Sequence, residues 1–466
     1  MLTYNFNDID CPLYEYIYKR IKEDILSGTL KPNEKLPSKR TFARNNGVSS
    51  ITIQNAYDQL IGEGYVYTVP KKGYYVAFIG DLAKTQRVAN VSFNFKKPED
   101  VRNFEIDLSR NQTDVNLFPF SVWAKLLRDV VAKKSGELMQ TSPTGGIFEL
   151  RAAIGEHLRS FRGMIVNPDQ IVVGAGSEYL YSLLILLLGT DKKYCVENPG
   201  YKKIARIYQQ HKIKCRFVDI DEKGISTVGL RHSGANIAHI SPNHHFPTGV
   251  VMPANRRYDV LAWANESQER YIVEDDYDGE FRSNGRPIPT LFSIDACDKV
   301  IYMNTFSKSL APTIRIAYMV LPERLANLFY QELSFYSCTV SNFEQYTLAE
   351  FITRGYFEKH INRTRLFYAR RRRQIVEIVR KSNLKDICDI LENDAGLHFL
   401  IKLNTNVPDE TITERLQKEG IRLNALSEYY FTEKHSSKGV FIIDYSNLDP
   451  EKMTIACEKI YAATKE

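Results

Sequence analysis

Residues 78–104 (FIGDLAKTQRVANVSFNFKKPEDVRNF) divide the chain. The stretch is polar, holds no sustained hydrophobic period, and is longer than a connection inside one compact domain needs. A single core spanning all 466 residues is thereby excluded. We read 1–78 as one domain, 79–104 as a linker and 105–466 as a second domain. In the second, the runs IVVGAG, YCVENPG, CRFVDI, IAHISP, YIVEDD and VIYMNTFS alternate with helical patterns. Strands spaced by helices imply βαβ units and a mainly parallel sheet, so an α/β fold. From about Asn362 the pattern turns α+β. The most apolar run, YLYSLLILLL from Tyr179 to Leu188, is far shorter than the ~20 residues that span a bilayer, and it reads as a buried helix.

The first domain is written in short elements. Tyr14 to Leu26 has one apolar helix face, stopped by Ser27-Gly28. Ser38 can cap a helix running through Ala43, Gly47 supplies a tight turn, and Ser49 or Ser50 caps a second helix to about Ile61. Ile53, Ala56, Tyr57 and Leu60 face inward there. This is helix-turn-helix spacing. Tyr65–Val69 and Tyr74–Phe78 then read as strands around a Lys71-Lys72-Gly73 tip, which makes a winged helix.

Charge supports a nucleic-acid face. The chain's net +6 is mild for its length, so any footprint is local. Between Lys35 and Ser50 stand four basic residues and no acidic one. Lys39, Arg40, Ser49, Ser50, Thr52 and the wing lysines Lys71 and Lys72 are the candidate DNA-binding residues: cations for phosphate, small hydroxyls for close approach of a helix N-terminus. Through LPSKRTFA, GVSSITI, AYDQLIGEGYV and KKGYYV, the segment resembles the GntR family of winged-helix regulators. The family pattern usually has Ser-Arg where this chain has Ser49-Ser50, which removes a strong base or phosphate donor and bears on the operator sequence more than on DNA binding itself.

In the second domain the decisive string is Asn304 to Arg315 (NTFSKSLAPTIR). A lysine between two serines follows a strand, with an arginine seven residues on. An aldehyde cofactor needs an amine for a Schiff base, and its phosphate needs hydroxyls and a guanidinium. Lys308 is the candidate amine; Thr305, Ser307 and Arg315 are candidate phosphate partners. A Ser-Lys dipeptide alone says little. Gly174-Ala-Gly-Ser177, however, follows a strand and opens a helix, which makes Gly176 and Ser177 a phosphate cradle. Val273 to Asp278 (VEDDYD) ends another strand, where an aspartate can keep a pyridine nitrogen protonated.

Together with GGIFELRAAI, VENPGY and SPNHHFPTG, these strings resemble fold-type I enzymes that use pyridoxal 5'-phosphate (PLP), the class I aminotransferases, over about residues 105–466. The resemblance implies that Asp275 pairs the ring nitrogen, Tyr277 contacts the phenolic oxygen, Tyr201 lies against the ring and Lys308 forms the Schiff base. It also implies an α/β domain with a small α+β subdomain.

A GntR-like winged helix joined to an aminotransferase-like domain resembles the MocR/GabR subfamily of bacterial transcriptional regulators. That implies a PLP-dependent regulator binding double-stranded operator DNA as a domain-swapped homodimer. Its transaminase chemistry would be vestigial, and its signal a small amino compound or PLP itself. The competing reading is an active aminotransferase carrying a DNA-binding module. In GABA-responsive members arginines hold the effector carboxylate; the matching places here carry Lys203 and Glu428, with Arg315 and Arg422 as further candidates. Because a glutamate repels a carboxylate, the expected effector is not GABA.

The remaining features fit a cytoplasmic protein. Seven scattered cysteines without a CxxC pair read as reduced thiols, and no residue spacing suggests a metal site. Met1 to Asp10 is polar and lacks a signal-peptide pattern. Arg370 to Arg373 reads as a solvated helix face, and Trp123 and Trp263 as structural.

Overall fold

Two serine caps organise the N-terminal unit. Ser38 Oγ accepts the amide of Thr41 at 3.2 Å and opens the helix Lys39–Asn46. Ser49 Oγ accepts the amide of Thr52 at 3.0 Å and opens Ser50–Gly62. Gly47, at φ 67, lets the first helix end in a left-handed turn that a side chain would strain. The first of these helices therefore runs to Asn46, a turn beyond the expected Ala43, because nothing before Gly47 stops it. Leu13–Leu26 packs Ile17, Ile21 and Ile25 on the same core as Phe42, Ile53, Tyr57 and Leu60. The wing pairs Val66–Val69 with Gly73–Val76, antiparallel, in register Val66 to Val76.

The computed structural model describes residues 3–4, 11–80, 104–109, 113–282, 288–391, 396–432 and 437–465. Of the linker assigned to 79–104, residues 81–103 lie outside the described residues. The chain divides into two compact units, Met1–Asp100 and Val101–Glu466.

The second unit is built on an eight-stranded sheet. Its order is Ile171–Gly174, Ala317–Val320, Val300–Thr305, Tyr271–Asp275, Ile237–Ile240, Lys193–Asn198, Lys214–Asp221 and Gly224–Ile225. The five strands from Val300–Thr305 to Lys214–Asp221 pair in parallel. Ala317–Val320, which the sequence reading missed, runs antiparallel to both neighbours. The reason is distance along the chain: only residues 306–316 separate it from the preceding strand, too few for a parallel crossover. The Leu-rich helix Ser177–Leu188 is buried against this sheet, with Leu180, Leu184 and Ile185 in its core.

A smaller α+β part follows the long helix Tyr356–Lys381. Cys388–Leu391, His398–Leu403, Val440–Asp444 and Asn424–Ala425 form an antiparallel sheet. The helices Asp409–Lys418 and Pro450–Ala463 contribute Ile412, Leu416, Met453 and Ile460 to its core. Among the described residues, no helix is long and apolar enough to cross a membrane.

Candidate functional site

Parallel strands deliver their C-terminal residues to one edge of a sheet, where ligands bind in folds of this class. Here a cavity of about 880 Å³ opens at that edge. Ser177, Tyr201, Lys203, Asp275, Tyr277, Thr305, Ser307, Lys308, Arg315 and Arg422 all line it. Ten candidates scattered over some 250 positions of sequence thus meet at one place.

Lys308 sits on the single-turn helix Phe306–Ser309, directly after the strand Val300–Thr305. Thr305 caps that turn, its hydroxyl accepting the Ser307 amide at 3.1 Å. Burial pulls the Lys308 ammonium below the usual lysine value, opposed by the negative charges of Asp444 and Asp278. Asp444, at the end of Val440–Asp444, is itself pushed up by burial to about 6, against its Ser446 hydrogen bond and the Lys308 charge. Sequence reading missed Asp444, since nothing local links position 444 to 308.

Asp275 is fixed from two sides. Its Oδ2 accepts a 2.7 Å hydrogen bond from the Tyr181 hydroxyl and faces His239 Nε2 at 3.4 Å. His239 Nδ1 lies 2.6 Å from the Tyr208 hydroxyl. With Tyr208 donating to Nδ1, the ring proton lies on Nε2, toward Asp275. Tyr277 contacts His244 Nδ1 at 3.1 Å, and that nitrogen also lies 2.7 Å from Asp278 Oδ2. Tyr201 precedes the helix Lys202–Gln210 and meets the Phe246 ring edge-on at 5.8 Å.

The opposite end suits an anion. Gly176, at φ 91, leads into the N-terminus of Ser177–Leu188, and a Cβ there would stand 2.5 Å from Arg315 Nη2. Ser307 Oγ is buried without a hydrogen-bond partner among the described residues. An anion-accepting helix end, a guanidinium and an orphan hydroxyl fit a phosphate. With a buried amine and an anchored carboxylate, the residues present fit PLP.

Glu178, absent from the sequence reading, changes the effector candidates. One of its oxygens pairs with Lys203 and the other with Arg315. Its signal was present in the sequence, an acidic residue next to Ser177, but a glutamate in a first helical turn reads as favourable to the helix dipole and draws no notice. Glu428 requires a correction. It does not line the cavity; its Oε1 accepts the Ala425 amide at 2.8 Å, closing the turn Leu426–Tyr429. Arg422 does line it, 4.0 Å from Asp107 Oδ2.

In the N-terminal unit, Arg40, Ser49, Ser50, Lys71 and Lys72 are exposed. Lys39 is half-buried, its ammonium 5.7 Å from the Tyr74 ring centre. Ser49 and Thr52 spend part of their hydrogen bonding on the helix cap, 2.7 Å apart through their hydroxyls. Ile51 is 70% exposed between Ser50 and Thr52. Arg370–Arg373 is not uniformly solvated: Arg371 bonds the Leu448 carbonyl and lies 3.5 Å from Asp114.

The aminotransferase class I and II family matches residues 105–460, and the gntR family of bacterial regulatory proteins matches residues 13–76. The chain is 33% identical over 457 residues to the uncharacterized HTH-type transcriptional regulator YdeL of Bacillus subtilis (strain 168), covering 98% of each. It is 31% identical to the probable rhizopine catabolism regulatory protein MocR of Rhizobium meliloti, over 96% of this chain and 92% of that one. Identity to the HTH-type pyridoxine biosynthesis transcriptional regulator PdxR of Corynebacterium glutamicum is also 31%, over 88% and 87%. In fold, the multiple substrate aminotransferase of Thermococcus profundus superposes with a TM-score of 0.69 at 22% identity, covering 83% of this chain and 97% of that structure.

Proposed function

Since this chain belongs to the MocR/GabR subfamily of GntR-type bacterial transcriptional regulators, we propose that it binds operator DNA as a homodimer and changes its DNA affinity when a small amino compound, or PLP alone, engages its aminotransferase-like domain. The cofactor of that domain is PLP. When bound, PLP supplies an aldehyde carbon for which the Lys308 amine and an effector amine compete.

The chain's own residues prepare that competition. Burial pulls the Lys308 ammonium below its usual value, a direction that favours the nucleophilic amine. Asp444 and Asp278 place negative charge around it and offset part of that effect. Asp275, held by Tyr181, keeps a pyridine nitrogen protonated, and Tyr277 serves the phenolic oxygen. Gly176, Ser177, Thr305, Ser307 and Arg315 hold the phosphate. Engaging or freeing the Lys308 amine would change the charge at the centre of the domain, and any bias this gives between two DNA-binding states is an allosteric coupling.

In the other unit, Lys39, Arg40, Lys71 and Lys72 reach phosphates, and the exposed start of the helix Ser50–Gly62 reads base edges. A single recognition helix reads one half-site, which is why we propose two copies. The observation that carries the reading is the union, in one chain, of a capped helix-turn-helix with a cavity where Lys308 and Asp275 meet. The same cavity keeps an active aminotransferase in play as the second reading. The test uses PLP-loaded protein: titrate amino compounds while following absorbance and DNA mobility shift. Coupled changes without turnover support the regulator; steady turnover with an amino donor and 2-oxoglutarate supports the enzyme.

A further inference from the structure

Any effector that binds beside PLP must place its second functional group against what the cavity still offers. Two of its cations, Lys203 and Arg315, would otherwise attract a distal carboxylate. Neither is available to it. The Glu178 carboxylate takes both, Oε1 toward Lys203 and Oε2 toward Arg315. Burial works against its ionised form, yet the two cations hold the Glu178 carboxyl below the usual glutamate value. A third lining cation, Arg422, faces Asp107 at 4.0 Å.

The charge balance tightens when PLP is present. Its phosphate brings close to two negative charges to the end of the cavity where Arg315 stands. Phosphate and Glu178 then outweigh Lys203 and Arg315. A second carboxylate on the effector meets a surplus of negative charge, whereas a second ammonium meets the Glu178 carboxylate, whose Arg315 partner is then shared with the phosphate. Glu428, which the sequence suggested for the same repulsion, is committed to the Ala425 amide.

We propose that Glu178 is the specificity-determining residue of the effector cavity, and that it selects a diamino compound over an amino acid with a distal carboxylate. This rests on the reading of the domain as a PLP-dependent sensor of amines. Glu178 contributes the anchor for the distal ammonium, and Lys203 competes with that ammonium for Glu178 Oε1.

The experiment titrates full-length PLP-loaded protein with putrescine, cadaverine, GABA and β-alanine, reading PLP absorbance and affinity for operator DNA together. The diamines should shift the spectrum at concentrations at least tenfold below those of GABA and β-alanine. Glu178→Gln should narrow or reverse that gap by weakening the diamines and freeing Lys203 for a carboxylate. Lys203→Met, which leaves one Glu178 oxygen unclaimed, should strengthen the diamines. This second variant decides the matter if the first does not fold. Equal or tighter response to GABA in the unaltered protein overturns the proposal while leaving the sensor reading intact. So does a gap unchanged in Glu178→Gln. If no amine of any kind perturbs protein that carries PLP, the reading as a sensor of amines falls, and the proposal with it, leaving PLP alone as the signal.

Discussion

The Tyr181 hydroxyl donates a 2.7 Å hydrogen bond to Oδ2 of Asp275, joining the buried helix Ser177–Leu188 to the end of the strand Tyr271–Asp275. The acceptor is a carboxylate, and hydrogen bonds to charged groups contribute about 1.5–3 kcal/mol. Tyr181→Phe should therefore let the carboxylate turn and weaken PLP retention by roughly tenfold or more. Equilibrium dialysis followed by absorbance measures this; retention equal to that of the unaltered protein would remove Tyr181 from the site's support. Asp275→Ala should lose PLP more completely.

Glu197 links the cavity wall to pH. Burial pushes its carboxyl to about 8, against a hydrogen bond from the Ser241 amide. Its neighbour His245, with Nε2 at 3.6 Å from Oε2, is held down to about 3 by burial and the His244 charge, so it offers no counter-charge at neutral pH. A carboxyl whose folded pKa is raised stabilises the protein below its unfolded value, 4.5. That stability is lost as pH rises toward 8, at up to about 1.4 kcal/mol per pH unit. Melting temperatures between pH 5 and pH 8 should fall more steeply for the unaltered protein than for Glu197→Gln. Parallel curves would show that Glu197 is ionised throughout.

How much of this was legible in the sequence depends on the range of each signal. Ser38, Gly47 and Ser49 announce their helices because a cap acts within three or four residues. The cofactor residues were legible because Lys308, Asp275 and Ser177 each follow an apolar strand, so their strings carry local context. Ala317–Val320 was missed because its direction is set by the short return from Thr305, which periodicity does not report. Asp444 and Tyr181 were missed for a different reason. Their neighbours, Lys308 and Asp275, are far off in sequence, and only the folded sheet brings them together. Glu428 was assigned to the cavity by position in a resemblance, and a backbone amide one turn away claimed it instead.

At the phosphate end, Gly176→Ala is the sharpest backbone test. Gly176 has φ 91, where L side chains are strained, and the added methyl would meet the Arg315 guanidinium at 2.5 Å. Strain of this kind costs of order 1–3 kcal/mol, before Arg315 moves. The variant should bind PLP roughly ten- to a hundredfold more weakly while DNA contacts in the other unit stay intact. Normal retention would mean that Arg315 shifts freely and does not serve the phosphate.

The DNA-binding unit yields a prediction separable from all cofactor chemistry. Arg40 is exposed beside the Ser38 cap, and Lys71 and Lys72 are exposed at the wing tip, where Lys71 adopts φ 62. None of the three lines the cavity. Each phosphate neutralised by a protein cation releases counterions, so log affinity falls with log salt by about 0.9 per contact. Arg40→Ala should weaken operator and non-specific DNA alike, and lower the salt slope by about one per copy of the chain. The double change Lys71→Ala with Lys72→Ala should lower it further. Ile51, 70% exposed at the start of the second helix, behaves differently because it carries no charge. An apolar side chain there is suited to a thymine methyl, a contact that discriminates by about 1–3 kcal/mol at most. Ile51→Ser should thus change which sequences are preferred without changing the salt slope. Mobility shifts over a salt series, on operator and on scrambled DNA, separate the two behaviours. An Arg40 variant with an unaltered slope would place that residue outside the interface, and an Ile51 variant whose slope falls would mean that the helix start rests on backbone instead of bases.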